Sequence, residues 1–137
     1  RHGTKWGLFT GFVNSLLQML LGFYAPPAPG LLPLVGMILL DYVLAFTLLG
    51  LAGAIAKPFK NRLVGVAVGT AVVCGIRFLC SFLSGVLIWG NLSDGLPAWT
   101  YSLTYNGSYM LPETILTTVA AVLIYKAAPQ LFAAQEQ

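Results

Sequence analysis

Four side chains interrupt otherwise apolar stretches of this chain: Asp41, Arg77, Asn106 and Glu113. Aromatic and small residues gather around them at helical spacing. Tyr42 follows Asp41 directly. Ser81, Gly85 and Trp89 stand four apart, as do Tyr101, Tyr105 and Tyr109, so each trio shares one helix face. An acid held among ring faces suits a cation, because Trp and Tyr quadrupoles attract positive charge, more so when desolvated. The same faces stack flat heterocycles. Gly85 would let a ligand approach the backbone, and Asn106 offers both donors and acceptors. This chemistry is recognition of a flat, cationic heteroaromatic molecule. Catalytic equipment is lacking in the sequence. The single histidine, His2, stands near the start of the chain, and no His/Cys zinc set, nucleophile–base pair or phosphate-cradling glycine–lysine loop is present. No enzyme activity, metal or cofactor is expected.

The elements that position these residues follow from composition. Of 137 residues, 58% are hydrophobic and 8% charged, and the mean hydropathy is +0.83. Soluble domains carry about 25% charged residues, and disordered chains are more polar still. What remains is an all-α integral membrane protein, with the bilayer as solvent. Four apolar spans are expected, at about 6–23, 34–56, 63–89 and 98–126, forming one transmembrane domain over 1–137. The last two exceed the roughly 20 residues that cross the hydrocarbon, so they should tilt or project. Asn106-Gly107 and Pro112 are candidate kinks. Between spans lie the proline-rich segment 24–30, the basic turn 57–62 and the polar turn 90–97. The chain opens Arg1-His2-Gly3-Thr4-Lys5, without an initiator methionine or a secretory signal pattern, which reads as an internal loop and so as a fragment.

Charge sets the orientation. Arg1 and Lys5, then Lys57, Lys60 and Arg62, then Lys126 fall on one side if every span crosses once, which places both termini in the cytoplasm. The net charge of +3 is dispersed over short connections, so nucleic acid is not an expected partner and membrane lipid is. At about 1.5 Å per residue, Asp41 lies roughly 10 Å below the outer rim and Asn106 roughly 12 Å. Trp89 and Tyr101 sit near that rim, so three helices bring polar and aromatic groups to one depth. Arg77 and Glu113 fall roughly 20 Å down and are expected to form a structural ion pair. Cys74 and Cys80, poorly oriented for each other on a helix, read as buried free thiols. Rows of small residues, Gly3/Gly7/Gly11, Gly65/Gly69 and Ala67/Ala71/Gly75, suit close helix packing within the bundle, or a docking face. Plainer readings stand beside the pocket. Trp89 and Trp99 also suit an interfacial belt, Tyr42 a core tyrosine, and Asp41 a partner for a basic residue.

The chain resembles the thiamine-specific substrate-binding subunits (S components) of energy-coupling-factor vitamin transporters. The resemblance is carried by His2-Gly3-Thr4-Lys5-Trp6-Gly7-Leu8, by Leu40-Asp41-Tyr42-Val43-Leu44-Ala45-Phe46, by Arg77-Phe78 through Ser84-Gly85 to Trp89-Gly90, and by Tyr101 through Asn106 to Pro112-Glu113. It implies a six-helix bundle of which four spans are present here, the family's first two helices lying outside this sequence. It implies capture of thiamine at the outer face of a bacterial cell membrane. The partners it implies are a transmembrane coupling subunit and two ATPase subunits. The ligand-binding residues it implies are Asp41, Tyr42, Ser81, Gly85, Trp89, Tyr101 and Asn106. At Ser81 the family carries a histidine, so a ring contact is missing. An S component for another heterocyclic vitamin or precursor, and a membrane assembly subunit without ligand, are the alternative readings.

Overall fold

The computed structural model describes residues 2–133, so Arg1 of the orientation argument lies outside it. Four long helices run through these residues. Helix α1 covers Thr4–Gly22 and follows Gly3, whose φ of 89° suits a residue without a Cβ. It stops at Phe23, which is extended, and prolines at 26, 27 and 29 keep the next segment out of helix. Helix α2 covers Leu31–Ala56. It is α-helical only in parts, because Ile38–Leu44 widens into a π-helix and Leu48–Leu51 tightens into a 3₁₀ turn. Helix α3, Arg62–Leu87, is capped by Asn61, whose Oδ1 accepts from the backbone N–H groups of Leu63 (3.0 Å) and Val64 (3.4 Å). Helix α4 covers Ala98–Ala127 and continues past Asn106-Gly107 and through Pro112 without a break in helix.

Helices α2, α3 and α4 are each long and apolar enough to cross a membrane. Helix α1 does not meet that measure, since Lys5, Asn14 and Gln18 dilute its apolar run. The side chains that point outward are large and apolar, among them Leu79, Leu87, Leu111 and Leu116. Several of the buried ones are small or polar: Ser15, Ala45, Ser84, Gly85 and Ser102. That inversion suits a lipid solvent, where helices associate by close backbone approach and hydrogen bonds instead of by burying apolar bulk.

The glycine rows make these approaches. A Cβ on Gly7 would fall 2.6 Å from the Gly50 carbonyl oxygen, and one on Gly11 would fall 2.6 Å from that of Phe46, so α1 lies directly on the backbone of α2. Gly65 and Gly69 meet the carbonyls of Ala56 and Ala52 in the same way and close the α2–α3 hairpin. These two rows therefore pack within the bundle. Gly3 and Gly75 have no such neighbour, and Ala71 is exposed. Cys74 and Cys80 are buried and free.

Replacement of Gly50 by leucine should force α1 off α2 and cost roughly 1–3 kcal/mol or more of stability through overpacking. Gly53, with open space around it, should accept leucine with little change. Thermal unfolding of the two detergent-purified variants measures the difference, and equal melting temperatures would contradict the contact.

Candidate ligand-binding site

Asp41 occupies the middle of the π-helical stretch of α2. A π-turn widens the helix locally and changes the direction in which the following side chains project, and such turns recur at functional sites. Here the carboxylate points toward α3. Its Oδ2 accepts from Ser84 Oγ at 2.6 Å and from Trp89 Nε1 at 3.2 Å. Among the described residues Oδ1 has no hydrogen-bond partner, and Asp41 makes no ion pair. The reading of Asp41 as a partner for a basic residue is therefore corrected. Two neutral donors hold one oxygen, and the other stays open to a ligand. Trp89 is turned inward by the same bond, which an interfacial belt residue would not require.

A cavity of about 620 Å³ opens beside this carboxylate. Its volume falls within the range of small-molecule sites, about 300–1,000 Å³. Asp41, Tyr42, Ser81, Gly85, Trp89, Tyr101 and Asn106 all line it, so the structure brings the seven sequence-selected positions to one wall. Tyr105 and Tyr109 line it as well, with Gln18 from α1 and Tyr24 from the proline-rich connection. Tyr101 stacks on Tyr105 with ring centroids 5.9 Å apart, and Tyr109 meets Tyr105 edge-on at 5.8 Å. Tyr42 donates from its hydroxyl to the Gly22 carbonyl at 2.8 Å and stacks its ring against Phe23. It thereby satisfies one of the orphan carbonyls at the end of α1.

Two of the seven do something other than the sequence suggested. Gly85 borders the cavity, but the room left by its missing Cβ is already filled by α4: a Cβ there would fall 2.7 Å from that of Ser102 and 3.3 Å from Asn106 Nδ2. Its smallness serves helix contact first. Asn106 is 5% exposed, and its polar atoms are engaged within the bundle. Nδ2 donates to the Ser102 carbonyl (3.0 Å), Ser102 Oγ (3.1 Å) and the Ser81 carbonyl (3.3 Å), while Oδ1 accepts from the Tyr109 hydroxyl (3.0 Å). Asn106 thus ties α4 to α3 and fixes Tyr109 over the cavity. Ser84 and Phe46 were not singled out from the sequence. Ser84 falls outside the i, i+4 row that drew attention to Ser81, and Phe46 reaches the cavity through the altered phase after the π-turn.

Arg77 and Glu113 are joined by a hydrogen-bonded ion pair between Nη1 and Oε1. The guanidinium carbon lies 4.8 Å from the centre of the Phe46 ring. Arg77 also lines the cavity, whereas Glu113 does not.

An acid and several rings around a cavity in a helical membrane bundle suit recognition of a small solute. The chain belongs to the thiamine transporter protein family (Thia_YuaJ), whose model matches residues 1–133. It is 34% identical to the thiamine transporter ThiT of Bacillus subtilis (strain 168), over 96% of this chain and 70% of that protein. It is 31% identical to the thiamine transporter ThiT of Lacticaseibacillus paracasei, over 99% of this chain and 71% of the relative. No solved structure matches significantly. With its three apolar crossing helices, the chain is a multi-pass bacterial membrane protein, and a component of thiamine transport instead of a catalyst.

Of the three tryptophans only Trp89 borders the cavity, while Trp6 and Trp99 are more than half exposed. Thiamine added to the detergent-purified protein should quench tryptophan fluorescence, and Trp89→Phe should remove most of that quenching. Quenching that survives in Trp89→Phe but disappears in Trp99→Phe would move the site elsewhere.

Proposed function

We propose that this chain is the substrate-binding subunit of an energy-coupling-factor importer, capturing thiamine at the extracellular face for ATP-driven uptake. One observation carries the reading: a carboxylate oxygen of Asp41, left open by Ser84 and Trp89, in the wall of a ring-lined cavity. A thiazolium cation or an aminopyrimidine matches that oxygen by charge or by hydrogen bonding, and both rings match Trp89 and the Tyr101–Tyr105 stack. The names of both relatives point to the same ligand. Lys5, Lys57, Lys60, Arg62 and Lys126 support an orientation with these ends cytoplasmic, which turns the cavity outward. The role assigned to Asp41, Tyr42, Ser81, Gly85, Trp89, Tyr101 and Asn106 is the binding wall. The Arg77–Glu113 pair holds α3 to α4. A transmembrane coupling subunit and two ATPase subunits supply the energy, for which this chain has no nucleotide-binding motif.

Ser81 keeps a second ligand in view, because a hydroxyl there leaves more room and less ring contact than a histidine. Isothermal titration separates the cases. Thiamine should bind more tightly than its pyrimidine half, and Ser81→His should tighten thiamine further. Asp41→Asn should weaken thiamine by roughly 100-fold or more, as expected for loss of a close charge partner at an effective dielectric of about 20. An unchanged affinity in Asp41→Asn would refute the assignment, and preference for the pyrimidine half would favour a different heterocycle as substrate.

A further inference from the structure

Among the described residues, Asp41 and Arg77 are the two charged side chains that face the main cavity. Their signs are opposite. Alone they would cancel, and a guanidinium in the wall would repel the cation that the carboxylate attracts. Glu113 alters this balance from outside. It lines a second, smaller cavity of about 310 Å³, and Arg77 is the one residue common to the walls of both. The guanidinium is therefore a partition, with the ligand cavity on one side and the Glu113 carboxylate reaching it from the other. Phe46 borders the ligand side and lays its ring against the guanidinium, adding negative quadrupole potential there.

Resting on the functional reading above, we propose that Glu113 is a specificity-determining positioning residue: it neutralises Arg77 from behind the cavity wall, so that Asp41 alone sets the field and a cation is selected over an uncharged molecule of the same shape. Glu113 touches no ligand in this arrangement. Its effect is carried entirely by charge, so it must depend on the charge of the ligand. A purely structural pair would instead alter the affinity for both kinds of ligand alike. An uncompensated unit charge some 6–10 Å from a bound cation, at an effective dielectric of about 20, should change its affinity roughly 10- to 100-fold.

The test uses two probes: thiamine, and an isostere in which a neutral five-membered aromatic ring replaces the thiazolium. Both are titrated calorimetrically into the detergent-purified protein and into Glu113→Gln, Arg77→Gln and the double variant. In Glu113→Gln, thiamine should weaken roughly 10- to 100-fold while the isostere changes by less than about threefold. Removing Arg77 as well should restore thiamine to within about threefold of the parent protein, because the unpaired charge is gone. An equal loss for both probes, or a double variant that stays weak for thiamine alone, overturns the proposal. Should Glu113→Gln fail to fold, Arg77→Gln carries the test with the opposite sign. The ratio of thiamine to isostere affinity must then rise, and an unchanged ratio overturns it. A parent protein that binds neither probe sinks the functional reading, and this inference with it.

Discussion

A carboxylate placed inside a bilayer-crossing helix must find donors on its neighbours, and the way Asp41 finds them organises this bundle. Ser84 lies in the last turn of α3 and Trp89 two residues beyond its end, and both reach the same oxygen. Their bonds fix the rotation of α2 against α3 and hold the Trp89 ring at the cavity instead of in lipid. The second oxygen is left free by the same geometry. One interaction thus serves the fold and leaves a carboxylate oxygen unbonded at the cavity. That economy matters where apolar burial contributes little to association, because the lipid is as apolar as the side chains.

The rest of the wall is built from α4 by similar means. Ser102 donates to the Phe82 carbonyl at 2.8 Å and fits the space beside Gly85. Asn106, one turn on, bonds across to the Ser81 carbonyl. These contacts bring α4 close enough to α3 for the Tyr101, Tyr105 and Tyr109 rings to flank the cavity. Helix packing and the cavity wall therefore share residues, and Gly85 and Asn106 belong to both.

The helices and the cavity positions were largely legible in the sequence, for identifiable reasons. Apolar length marked α2, α3 and α4 to within a few residues, since a bilayer demands a minimum run. Asp41, Trp89 and Tyr101 stood out because polar and ring residues are rare and costly at that depth. What stayed hidden was anything that departs from a regular 3.6-residue period. The π-turn of α2 has no marker in Ile38–Leu44 beyond Asp41 itself, so the arrival of Phe46 at the cavity was invisible. Ser84 carries no mark in the sequence of its bond to Asp41, since a hydroxyl in a helix can equally bond back to its own carbonyls, as Thr104 does to Thr100. The Arg77–Glu113 contact was readable from depth, but its place as a wall between two cavities depends on where three helices meet.

The irregular winding of α2 has a consequence for its length. Residues within the widened turn and residues beyond it are locked to different neighbours: Asp41 to Ser84 and Trp89, Gly50 to Gly7. Insertion or deletion of a single residue within 38–44 would swing everything downstream by about 100°, the angular step of one helical residue. The anionic site and the glycine seam would then fall out of phase together. A change of length here would disturb both contacts at once, whereas substitution of the outward-facing Leu39 or Leu44 would leave the register of the helix intact.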